Sequence, residues 1–321
     1  MKTKITTERT EFKPFKYPWA YTAFLESEQM HWIHTEQPMA EDIADWKNKL
    51  STEKKNLLTH IFRFFTQGDI DVAGAYVKNY LPAFPHPEIR MMLSSFAARE
   101  ATHIAAYSHL IESLGMPEST YNEFLSYQEM RLKHEFITEF TPENKTIAEQ
   151  IAVFSAFTEG MQLFSSFVIL LNFARHGEMK GMGQIIAWSM ADETLHTESI
   201  IKLFKVYISE NRELWNDDLK SKIYSHAAKM VELEDAFIDL AFGLYTGDEL
   251  SKEEVKQYVR YIADRRLISL GMKGIFKIKE NPLKWVEGML GVTHTNFFEQ
   301  KVVDYAKGAL TGSWEDVWGK K

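Results

Sequence analysis

The sequence predicts an all-α chain folded as a single helical bundle, and three observations carry that expectation. Apolar residues recur at three- and four-residue spacing along most of the 321 residues, the period of a helix with one face against a core. Glycine and proline number only 16 and 9, too few for a loop-rich or all-β chain that turns every ten residues. The interruptions of the pattern are short, and none has the composition of an interdomain linker.

The elements follow in order. A first helix is expected at about 20–35 and a second at about 41–80, where Leu57, Ile61, Phe64 and Phe65 repeat at helical spacing before the prolines at 82–87. A third runs over about 87–114 and ends at Gly115–Pro117. The fourth, about 118–139, has Ser119 as its N-cap by residue type, and Thr141 is the corresponding residue ahead of a fifth at about 144–176. The sixth, about 182–209, lies beyond the glycines at 177–183 and repeats Ile200, Ile201, Phe204 and Tyr207. Helices over about 211–244 and 251–278 complete the set, separated by Gly247–Asp248 and stopped by Pro282. No internal repeat or low-complexity tract occurs. Residues 1–308 are expected to form one domain and 309–321 a tail.

Composition excludes several functions. A core is affordable at 45% hydrophobic and 13% aromatic residues, so disorder is out. With 37 Lys+Arg against 45 Asp+Glu the net charge is −8, which argues against non-specific nucleic-acid binding. The chain has no Cys, hence no disulfide, thiolate metal site, iron–sulfur cluster or thiol nucleophile, and any metal must be held by His and carboxylates. The polar N-terminus lacks the apolar stretch of a signal peptide, so a cytoplasmic location is expected. One stretch, Ile151 to Phe173, is long enough to cross a membrane and is charged only at Glu159; a helix buried at the centre of a soluble bundle explains it better.

Three Glu-x-x-His pairs occur: Glu28/His31, Glu100/His103 and Glu193/His196. Positions i and i+3 share a helix face, so such a pair can aim a carboxylate oxygen and an imidazole nitrogen at one ion. Glu28/His31 sits in a polar segment and reads as a solvated face. The other two are flanked by apolar turns, where a carboxylate beside an imidazole is costly unless something pairs with it, and a divalent metal does so most completely. Glu159, the only charge in its apolar stretch, also needs a partner. Asp69 and Asp71 are the only acids between Phe62 and Tyr80, and either can supply a fourth position. One acid, Glu-x-x-His, one acid, Glu-x-x-His on successive long helices is the ligand pattern of ferritin-like dinuclear carboxylate proteins. Oxygen ligands with two imidazoles suit iron or manganese. Tyr107, one turn beyond His103, lies near the same place, either as a packed core residue or as part of the chemistry.

The segments REATHIAAY, WSMADETLH, EGMQLFSSF and TNFFEQKVVDY together resemble the small, radical-generating subunit of class I ribonucleotide reductase, from about Trp32 to Tyr305. That resemblance implies a ferritin-like bundle with extra helices and a dinuclear metal site in its core. It assigns Asp69, Glu100 and His103 to one metal and Glu159, Glu193 and His196 to the other, with Glu100 bridging. Asp69 is preferred over Asp71 on family spacing. The two ions per chain would be iron first, with manganese–iron or dimanganese as alternatives. Tyr107 falls on the radical-bearing tyrosine, Trp32 on the tryptophan that relays an electron, Asp192 on the carboxylate linking Trp32 to His103, and Tyr305 on the tail tyrosine.

The implied chemistry is that the reduced metal pair reacts with O2 and, with one further electron, leaves an oxidised centre and a one-electron-oxidised Tyr107, packed by Leu163, Phe167 and Ser189. The oxidising equivalent then passes through Asp192, Trp32 and Tyr305 to a cysteine of the large subunit, where the ribonucleotide is reduced. The tail 309–321 would dock on that partner through Trp314 and Trp318, and the chain would pair as a homodimer, with neither nucleic acid nor membrane as partner. Ala191 departs from the family, which usually has Arg before the aspartate, and Ser189 makes the tyrosine pocket more polar than a β-branched residue would.

Overall fold

Helices account for most of the backbone in the computed structural model, which describes residues 4–143 and 145–289. In chain order these are α1 (Pro18–Gln29), α2 (Ala40–Asn48), α3 (Thr52–Ala75), α4 (Leu81–Ala83), α5 (Pro87–Ser113), α6 (Gln128–Thr138), α7 (Ile147–Val153), α8 (Phe164–Arg175), α9 (Lys180–Glu210), α10 (Asp217–Ala241) and α11 (Lys252–Ser269). No strand occurs among the described residues. Tyr305, Trp314, Trp318 and the tail 309–321 lie outside them.

The all-α expectation holds, with boundaries that local chemistry resets. The span expected at 41–80 is two helices, because Ser51 turns out of helical geometry and its hydroxyl accepts the Lys54 amide hydrogen, starting α3 afresh. The helix expected at 118–139 begins as two 3₁₀ turns, Glu118–Tyr121 and Glu123–Ser126, and Ser119 lies inside the first rather than capping a helix. The cap of α7 is Thr146, not Thr141. Helix α11 opens with a reciprocal Ser251/Glu254 capping box and stops at Ser269, where Gly271 takes φ +88.

Two stretches depart from α geometry altogether. Residues Tyr76–Tyr80, after α3, and Phe154–Gln162, between α7 and α8, are wound as π-helix. Such segments are rare and concentrate at functional sites.

At the centre, α3, α5, the continuous run 147–175 and α9 pack together; α1 lies on α5, and α10 and α11 cover the 147–175 run. That run is the one membrane-length apolar helix among the described residues, and its most apolar window is buried inside the bundle. The start of α9 is fixed from outside its own sequence. Asp42, fully buried on α2, accepts from the backbone N–H of Gly181 at 2.9 Å and of Met182 at 2.7 Å, supplying a carboxylate where the helix end is electropositive. A Cβ at Gly181 would lie 2.6 Å from that carboxylate, so the site admits only glycine. This contact sets the register of α9, which carries Asp192, Glu193 and His196.

Candidate metal centre

The four central elements each present acids or histidines to one interior point. Asp69 comes from α3, Glu100 and His103 from α5, Glu159 from the π segment, and Glu193 and His196 from α9. All six are 0% exposed. Ligand atoms of Glu100, Glu159, Glu193 and His196 lie within 4.8 Å of one another, as do those of Asp69, Glu100 and His103, so Glu100 belongs to both groups. The structure also separates the two aspartates. Residues i and i+2 face opposite sides of a helix, and Asp71 turns away to His134 Nδ1 at 2.5 Å and the Gln67 amide at 2.8 Å. Glu28 and His31 are exposed, and His31 lies beyond the end of α1.

Both imidazoles turn Nδ1 inward. His103 Nδ1 is 3.2 Å from Glu193, 3.4 Å from Glu100 and 3.8 Å from Asp69. His196 Nδ1 is 3.1 Å from Glu100, 3.6 Å from Glu193 and 3.7 Å from Glu159. None of the carboxylate oxygens of these four acids, nor either Nδ1, has a hydrogen-bond partner. Ten buried polar atoms without partners would be an untenable arrangement for a protein core, since each costs about 1–3 kcal/mol. The donor set fits two divalent cations: four carboxylates, formally −4, are balanced by two ions of +2, and oxygen-rich ligation with one imidazole each is hard-metal chemistry.

Proton affinities show the same demand for positive charge. Burial, reinforced by Glu100, pushes the Asp69 carboxyl well above the usual carboxylate range, and burial with the neighbouring Glu193 does so for Glu159. Burial alone would lower both histidines; the surrounding carboxylates outweigh it and raise them well above 6.5. Glu193 goes the other way: burial opposes its ionisation, but the close approach of Glu159 and of the His103 and His196 imidazoles prevails and holds it down.

The outer nitrogen of His103 is occupied. Its Nε2–H donates to Asp192 Oδ2 at 3.0 Å, and the same oxygen accepts from Trp32 Nε1 at 2.9 Å. Trp32 is buried in the loop after α1, stacked on His103 with ring centroids 5.8 Å apart. Arg99 is a member of this group that its motif context did not reveal. Its Nε and Nη2 approach Asp192 Oδ2 at 3.3 and 3.2 Å, and its guanidinium lies 5.3 Å over the Trp32 ring. The cation beside Asp192 thus comes from α5, while Ala191 stands before it in α9. Tyr107 is buried, 6.4 Å from His103 between ring centroids and stacked on Phe65 at 4.6 Å. Its hydroxyl has no hydrogen-bond partner, and burial with the nearby Asp69 raises its pKa well above the ordinary phenol value.

The π winding positions Glu159, and two basic residues secure it from outside. Arg266 Nε donates to Gly160 O at 2.8 Å, and Lys133 Nζ, fully buried, to Gln162 O at 3.4 Å. Lys133 is itself held in an ion pair with the buried Glu234. Sequence periodicity gives no signal for this, because a π segment departs from the 3.6-residue repeat on which such readings depend.

A bundle with one acid from each of two elements and Glu-x-x-His from two others defines the class of ferritin-like helical proteins whose buried donors can hold a metal pair. The family described as ribonucleotide reductase, small chain, matches residues 9–282, and the chain belongs to that family. It is 49% identical to the probable ribonucleoside-diphosphate reductase small subunit of invertebrate iridescent virus 3, over 97% of this chain and 88% of that protein. In fold it is similar to the ribonucleotide reductase R2 subunit from Clostridium botulinum, with TM-score 0.82, 20% identity, and 89% and 92% of the two chains covered. The dimanganese(II)-NrdF of Streptococcus sanguinis is similar too, with TM-score 0.74, 22% identity, and 86% and 96% covered.

Proposed function

We propose that this small subunit holds two metal ions on Asp69, Glu100, His103, Glu159, Glu193 and His196, and uses them with O2 to oxidise Tyr107 by one electron. The equivalent is then delivered to a large-subunit cysteine for reduction of ribonucleoside diphosphates. The observation that carries it is the hydrogen-bonded line from His103 through Asp192 to Trp32, which a metal store has no use for. When bound, the ions supply the redox chemistry. Iron is the first choice, with manganese–iron or dimanganese as alternatives; the similar Streptococcus protein is described as dimanganese.

The chain's own residues do the rest. Asp192 fixes the His103 tautomer with Nε2 protonated and Nδ1 free to ligate, and it holds the Trp32 indole by its N–H. Phe65, itself 5.8 Å from Phe167, closes the Tyr107 pocket and excludes water and reductants. In this reading Tyr305 continues the transfer beyond Trp32, residues 1–308 form the domain and 309–321 dock on the large subunit. The chain acts as a homodimer in the cytoplasm.

Loading the metal-free protein with Fe(II) and exposing it to air should give about two ions per chain and an organic radical by electron paramagnetic resonance. Glu193→Ala with His196→Ala should abolish the second ion and the radical together. Full metal content in that double variant overturns the ligand assignment.

A further inference from the structure

Tyr76 and Tyr107 are the two tyrosines, among the described residues, whose hydroxyl oxygens are themselves wholly buried and have no hydrogen-bond partner. They sit at opposite ends of one row of rings. Centroid separations are 6.4 Å from Tyr107 to His103, 6.4 Å from His103 to His196 and 6.2 Å from His196 to Tyr76. Tyr76 is 0% exposed, begins the first π segment, and is enclosed edge-on by Phe96 at 6.4 Å and Phe154 at 5.0 Å. Two other buried tyrosines do have partners: Tyr17 donates to Glu210 and Tyr80 to the Gln150 carbonyl. Tyr76 therefore keeps a buried hydroxyl, at a cost, beside Glu159 at the edge of the centre.

We propose that Tyr76 is a second oxidisable residue of this centre, the counterpart of Tyr107 on the Glu159–His196 side. The proposal rests on the O2-dependent oxidation set out above, with the dioxygen-oxidised metal pair as oxidant. The Tyr76 O–H bond would break, its electron going to the oxidised metal pair that the six donors would hold and its proton to a carboxylate oxygen of Glu159, leaving a neutral phenoxyl radical. The Tyr76 hydroxyl faces Glu159, so the proton has an acceptor as the electron leaves. Its ring lies as close to an inward-facing histidine as the Tyr107 ring does.

The test compares wild type, Tyr107→Phe, Tyr76→Phe and the double variant, each loaded with Fe(II), mixed with O2 and freeze-quenched for electron paramagnetic resonance, with metal content measured in parallel. Each substitution deletes only a hydroxyl without a formed hydrogen bond, so folding and metal content should persist. Tyr107→Phe should retain a tyrosyl signal with altered hyperfine splitting, shorter-lived than that of wild type, and the double variant should lose it. A wild-type radical with none in Tyr107→Phe at full metal content overturns the role of Tyr76 alone. Full metal content with no radical in any of the four overturns the oxidation chemistry and Tyr76 with it. A tyrosyl signal that persists in the double variant places the hole elsewhere and overturns the proposal.

Discussion

Adding one methyl group at Gly160 should damage the half of the centre that contains Glu159. A Cβ there would lie 2.7 Å from the Ser155 carbonyl oxygen, 2.8 Å from Arg266 Nε and 3.1 Å from Thr197 Cγ2. The first is backbone within the same π segment and cannot step aside. The second is the group that donates to Gly160 O, so moving it breaks that bond. Overpacking costs about 1–3 kcal/mol, and losing a hydrogen bond from a charged donor adds about 1.5 kcal/mol, the lower end because Arg266 is half-buried. Gly160→Ala should thus destabilise the metal-free protein by about 2.5–4.5 kcal/mol, or about 5–9 °C at roughly 2 °C per kcal/mol. It should also weaken metal binding at the Glu159 side, because the displaced peptide carries that ligand. Gly68→Ala is the control: beside Asp69, a Cβ there meets nothing closer than Leu163 Cδ2 at 3.6 Å, and the helix gains propensity. Thermal unfolding by circular dichroism and metal titration read both variants. A Gly160→Ala protein within about 1 kcal/mol of wild type, or a Gly68→Ala protein equally damaged, refutes the tight π geometry.

Asp192→Asn keeps the shape of the link between His103 and Trp32 but removes its charge and leaves Arg99 without its anion; turnover with the large subunit should fall roughly 10–100-fold while Tyr107 is still oxidised, and unchanged turnover would remove Asp192 from the transfer route. The metal-free protein should lose stability as pH rises. His103 and His196 are raised above 6.5, and Asp69 and Glu159 above 3.8 and 4.5, so the folded state binds more protons than the unfolded one from about pH 4 upward through neutrality. Glu193, held down, acts oppositely, but only below its ordinary 4.5. The thermal midpoint of the metal-free protein should therefore drop between roughly pH 6 and 8, and metal binding should release protons, seen by calorimetry in two buffers of different ionisation enthalpy. A midpoint that climbs over that interval contradicts the sign.

What the sequence disclosed follows from how local each signal is. Glu100/His103 and Glu193/His196 were visible because three residues of one helix suffice to place both groups on one face, and the apolar flanks indicated burial. Glu159 was visible as a lone charge. Asp69 and Asp71 were not separable from spacing within their own helix, since the face pointing inward is decided by α5 and by His134. Trp32 was expected on a helix over 20–35, yet it lies past Gln29, where α1 ends. The part played by Arg99 was hidden for a different reason. It touches Asp192 across 93 positions of sequence, and its neighbour Glu100 faces the other way. Likewise a π turn has no sequence repeat, so neither Tyr76 nor the clamps at Gly160 and Gln162 could be found from periodicity.

The two ends of the centre are built alike in their rings and unlike in their hydrogen bonds. On the His103 side the outer nitrogen is engaged, and Asp192, Trp32 and Arg99 extend a polar line away from the metals. On the His196 side the outer nitrogen has no hydrogen-bond partner, and the ring is covered by Phe96 at 4.3 Å and by Tyr76. In the proposed function an electron reaches the centre through the first side, with a compensating proton shift along those hydrogen bonds. At the second side no hydrogen-bonded line leads outward, and the acids nearest the ring are Glu100, Glu193 and Glu159 of the cluster itself. In the proposed function this asymmetry gives the oxidising equivalent one direction of exit, through Trp32. In that reading the receiving cysteine lies on another chain, since this sequence has none.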